Sequence, residues 1–154
     1  MGYYIHMREQ DFFLPVDKLK EAHAAMIALD ETHDDQKHGG SWQDGKKVDR
    51  WFSWMSADYA AKLDTAQAIL EELGFDVGLD DMGNINSLHY DNKIGQEELF
   101  LKAIAPFVSE GSYINWVGED GAHWQHYFDG TKIIEKHGQV IYHTSLKTTT
   151  TEEE

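Results

Sequence analysis

Apolar residues recur along this chain with two different periods, and the switches between the periods mark its elements. Tyr3 to Met7 is aromatic and β-branched enough for a strand, which Asp11 to Leu14 continue across a bend. Pro15 and Asp17 then open a helix, with Asp17 as its N-cap. Leu19, Ala22, Met26 and Leu29 follow at intervals of three, four and three, which predicts one apolar stripe on a helix over about 18–30. Periodicity vanishes over 31–50, where Gly39, Gly40 and Gly45 stand among polar residues, so a long loop is expected there.

Past an aromatic knot of Trp51, Phe52, Trp54 and Met55, a second helix is expected after Ser56. Tyr59, Leu63, Ala66, Leu70 and Leu73 would lie on one face of it. Gly74 stops that helix, and Phe75 stands where a Schellman cap returns a hydrophobic contact to Leu70. Segments 75–79 and 85–90 flank five residues of turn chemistry, Asp80 to Asn84, and so form a hairpin. A third helix begins at Gly95 to Glu98, buries Leu99, Phe100, Ala103 and Ile104, and ends near Ala105 because Pro106 cannot continue it. The rest is a meander of strands at 113–117, 122–128, 132–136 and 139–143, with Gly-containing turns between them. Trp116 and Trp124 would form a cross-strand core pair. The order β-α-loop-α-β-β-α-β-β-β-β predicts an α+β fold, a single domain over 1–145 with about three helices on one face of an antiparallel sheet. The low-complexity tail over 146–154, four threonines and three glutamates at its end, is expected to be frayed.

Charge narrows the function classes. Among 154 residues, 28 Asp and Glu outweigh 13 Lys and Arg, for a formal net charge of −15. That balance excludes a nucleic-acid binder working by phosphate neutralisation and disfavours an anionic membrane surface. The absence of cysteine excludes disulfides, thiolate metal sites and a thiol nucleophile. No apolar run reaches the length of a membrane span, and the first residues lack a signal-peptide pattern, so a cytoplasmic protein is expected.

The stretch Ser112 to Gly130, reading SYINWVGEDGAHWQHYFDG, together with the MGYY start and Thr32 to Lys37 followed by Gly39-Gly40-Ser41-Trp42, resembles small uncharacterised proteins of actinobacteria and their phages. The resemblance covers most of the chain and brings no activity or catalytic residue with it. It implies an accessory protein that acts by binding, often to a host protein.

Candidate chemistry is sparse. His33, Asp34, Asp35 and His38 have the ligand types for zinc, manganese or iron, but no fixed-spacing motif preorganises them, so no metal is expected there. His123 and His126 on one strand would point to opposite faces and cannot share an ion; both are expected in polar, solvent-facing surroundings. His23 stands at the edge of the first helix's stripe as a boundary histidine. Neither a nucleophile elbow nor a phosphate-cradling glycine loop occurs, so no cofactor is expected and a binding role outweighs an enzymatic one.

Candidate binding residues fall in two groups. Trp42, Trp51 and Trp54 surround the long loop, where indoles bury large areas at low entropic cost. Glu71, Glu72, Asp80 and Asp81 form the second group, and the first two lie in a last helical turn that disfavours anions. The leading expectation is a basic protein partner met through these acids, a nucleic-acid-binding enzyme among the options, with no direct nucleic acid contact. The alternative is a small-molecule, nucleotide or metal-dependent site in the 33–54 segment.

Overall fold

The computed structural model describes residues 3–32, 39–43, 46–50, 59–94 and 97–144. Its centre is a five-stranded antiparallel sheet in the order β6-β1-β7-β8-β9. The first strand, β1 (Tyr4–Asp11), lies inside it, between β6 (Asp91–Lys93) and β7 (Tyr113–Gly118). Next come β8 (His123–Phe128) and the edge strand β9 (Ile133–Gly138). Alternation sends Ile5, Met7, Ile114, Trp116, His126 and Phe128 to one face, where all are buried. Between Met7 and Glu9 the register slips, so Arg8 is an extra residue opposite β7. After this bulge the parity reverses and Phe12, an even-numbered residue, is again buried.

The buried face is covered by helices. A single 3-10 turn (Val16–Lys18) leads into α1 (Leu19–Thr32), so Asp17 sits inside that turn and does not cap the helix. Ala22, Met26 and Leu29 of the expected stripe are buried and Leu19 packs half-buried beside them. They join Ile69, Leu70, Leu73, Phe100 and Ile104 in one continuous core.

The structure departs from the expected second helix, which is two: α2 (Tyr59–Lys62) and α3 (Ala66–Leu73). Thr65 is the reason, because it is extended and its hydroxyl accepts the Ala68 N–H at 3.0 Å, the geometry of a new N-cap. At the far end Gly74 adopts φ 117°, and Phe75 N–H and Gly74 N–H donate to the carbonyls of Leu70 and Glu71, completing the expected Schellman cap. The last helix, α4 (Glu97–Ile104), passes into a 3-10 turn at Pro106.

Two further departures follow from pairing rather than propensity. Within the expected loop, β2 (Gly39–Gln43) and β3 (Lys46–Arg50) pair as a hairpin. The expected fourth meander strand is absent, since 139–144 take no regular structure and Gly138 closes β9 instead of forming a turn. The hairpin of β4 (Asp76–Leu79) and β5 (Ile85–His89) is present as expected, as a separate two-stranded sheet. Among the described residues no helix is long and apolar enough to cross a membrane.

Candidate functional site

The turn between β4 and β5 is rigid for a local reason. The Asp80 carboxylate accepts the backbone N–H of Met82 at 2.9 Å and of Asn84 at 3.0 Å, and its second oxygen takes the Asn84 amide at 2.9 Å. These bonds, led by the Asn84 side chain, hold the Asp80 carboxyl below the usual carboxylate range. Asn84 reaches further, accepting the Val16 N–H at 2.7 Å and so tying the turn to the entry of α1. Gly83 has φ 90°, and a methyl group there would stand 3.3 Å from the Val16 side chain.

The turn presents what a soluble surface usually hides. Met82 is 76% exposed, Leu79 47% and Val16 45%, all gathered around this one loop. Exposed carboxylates of Asp17 and Asp81 flank them. An apolar patch rimmed by charge is a recognised form of interaction site, and an unbranched, polarisable methionine adapts readily to a partner's surface.

A second cluster lies at the sheet. Trp116 and Trp124 are directly opposed in register and stack at 6.4 Å, with Trp116 buried and Trp124 half-buried. The Trp116 indole N–H donates to Nδ1 of His126 at 3.0 Å. His126 is 2% exposed, against the expectation of a solvent-facing ring. The signal for this was present, because Trp124 and Phe128 flank it at the same strand parity. Its Nε2 lies 3.7 Å from a Glu135 oxygen and finds no hydrogen-bond partner among the described residues.

One ligand atom each from Glu98, His126 and Glu135 fall within 4.8 Å of one another, the spacing that a metal ion needs. Proton placement argues against an ion. An indole can only donate, so Nδ1 must accept and the ring proton resides on Nε2, the atom a metal would need bare. Lys102 already neutralises Glu98 at 3.0 Å. Burial pushes the His126 pKa down, against the carboxylates of Glu98 and Glu135, which push it up. The trio is a polar cluster closing the core, with a neutral imidazole at its centre.

Of the residues singled out in the sequence, Asp80 is committed to its own turn, while Asp81 beside it is exposed. Glu71 is exposed and accepts the Gln67 amide at 3.2 Å; Glu72 is half-buried. The two glutamates end α3, and Asp80 and Asp81 top the following hairpin. Trp42 falls on β2, whose side chains are outside the described residues, as are Trp51, Trp54, His33, Asp34, Asp35 and His38. His23 is the boundary residue expected, half-buried with Nε2 2.8 Å from the Leu63 carbonyl. Val16, Leu79 and Met82 were missed because isolated apolar residues near turns carry no periodic signal. Compared with protein-family models, curated proteins and solved structures, the chain matches none.

Proposed function

We propose that this is a binding protein that engages a basic protein partner through the β4–β5 turn. The observation that carries the reading is Met82, exposed beside Leu79 and Val16 on a loop held in place by Asp80 and flanked by the carboxylates of Asp17 and Asp81. An apolar anchor on a preformed turn gives contact area at low ordering cost. The carboxylates and the overall charge of −15 would steer Lys- and Arg-rich surfaces toward it and repel polyphosphate. Inhibition of a nucleic-acid-binding enzyme is one outcome of such binding, since rows of carboxylates and of phosphates present the same charge to a basic groove.

The test is capture of partners at low and high salt with wild type, Met82→Glu and Asp81→Lys. The expected result is a basic protein held by wild type at low salt, released at high salt, and lost by Met82→Glu. Asp81→Lys would slow its association by about tenfold, the scale of electrostatic steering. Asp80 is spared in these variants because its carboxylate builds the loop. Identical capture by all three proteins would overturn the proposal.

A further inference from the structure

The sheet has a second face, turned away from the helices, which carries Tyr113, Asn115, Val117, His123, Gln125 and Tyr127, all half-buried. Over β1, β7, β8 and β9 this face is hollowed into a concavity of about 500 Å³. That volume is within the range of small-molecule sites. Its charge is opposite to that of the molecule. Arg8 and Lys136 line it against one carboxylate, Glu9, in a chain where acids outnumber bases by 28 to 13.

The arrangement is built, not incidental. The bulge in β1 places two consecutive side chains opposite Asn115, so Arg8 joins Glu9 at the rim where strict alternation would give one residue. A ladder of amides crosses the floor. Gln125 Nε2 donates to Asn115 Oδ1 at 2.8 Å, and Asn115 Nδ2 donates to Glu9 Oε1 at 3.0 Å. This chain fixes both amide orientations and occupies an oxygen of Glu9, while each amide keeps a second N–H for a ligand. Lys136 stands opposite Gln125 in register, with Nζ 4.5 Å from the centre of the Tyr127 ring. A π face positions an ammonium without neutralising it. Arg8 is exposed and makes no ion pair among the described residues.

We infer that the concave outer face of the sheet binds a small organic anion, its carboxylate or phosphate group held by Arg8 and Lys136 and its polar atoms by the Asn115 and Gln125 amides. The long-range field of the protein repels anions, so only local, directional contacts of this kind make such a site selective. This surface is distinct from the β4–β5 turn, and either could fail without the other.

The side-chain amide resonances of Asn115 and Gln125 report the site directly. The full chain is titrated at millimolar concentrations with phenyl phosphate, with benzoate and with benzylammonium as the cationic control. Saturable shifts with an aryl anion and none with benzylammonium are expected. Response to the phosphate alone or the carboxylate alone supports the site and names the headgroup. The variant Arg8→Ala/Lys136→Met, altered only at exposed positions, should weaken binding by about tenfold or more, the loss expected for charge-assisted bonds. Lys136→Arg should retain it. Absence of saturation with both anions, an equal response to benzylammonium, or unchanged affinity in the double variant would overturn the inference.

Discussion

His126 shows how one buried polar residue is resolved by its neighbours. A histidine in a core costs free energy unless its nitrogens are engaged, and Trp116 engages one of them in a bond between two side chains that are both almost fully buried. The bond requires a neutral ring, because a protonated Nδ1 would set two N–H groups head to head. Burial lowers the folded-state pKa, so the unfolded chain binds the proton more tightly. The stabilising contribution is therefore complete above the ordinary histidine value of about 6.5 and is lost as pH falls below it. Denaturant titrations at about pH 7.5 and about pH 5 should show a larger loss for wild type than for His126→Gln, which keeps an acceptor but cannot titrate in this range. Glu98 and Lys102 of α4 and Glu135 of β9 face the ring and are common to both proteins, so equal losses would contradict this account. His126→Leu should cost about 1–3 kcal/mol at neutral pH by leaving the indole N–H unpaired.

At the scale of elements, the hydrophobic stripe over 59–73 was legible and the break within it was not. Tyr59, Ala66, Leu70 and Leu73 are all buried, as an uninterrupted helix would also have them. The break depends on Thr65 choosing the extended conformation, a choice open to threonine in isolation and settled by Ala68 N–H and by packing. Thr65→Ala should destabilise by about 1 kcal/mol, measured by urea unfolding. Gly74→Ala should cost about 1–2 kcal/mol for the left-handed conformation, and its methyl would also stand 3.1 Å from the Tyr90 ring. A neutral result for Gly74→Ala would mean that the cap is not holding the end of α3. The bulge in β1 belongs to the same class of feature, since Met7-Arg8-Glu9 contains no residue that demands it.

At the scale of the whole molecule, a charge of −15 opposes compactness. Raising ionic strength from about 0.01 M to about 0.15 M shortens the screening length from about 30 Å to about 8 Å. Thermal stability should rise with it: each ~1 kcal/mol of relieved repulsion is worth about 2–4 °C in a chain of this size. A Tm that is flat or falls with salt would show that the carboxylates are locally compensated, as Asp129 is by Lys132 at 2.8 Å. The same experiment sets the baseline for the salt-sensitive partner binding proposed above.

What the sequence determined by itself was local and periodic. The stripe of α1, the Schellman cap at Gly74, the turn chemistry at Asp80 to Asn84 and the alternation of β7 and β8 all act within a few residues, where propensity and hydrogen bonding decide. The tertiary structure decided everything that needs a distant partner. It put β1 inside the sheet between β6 and β7, although the residues it pairs with lie 85 or more positions along the chain. It also set the Trp116 indole N–H against His126 Nδ1 across two strands, and it collected Arg8, Asn115, Gln125 and Lys136 from four strands into one concavity. Strand pairing is a contest among all extended segments of the chain, and register, which a single residue can shift, determines which side chains share a face.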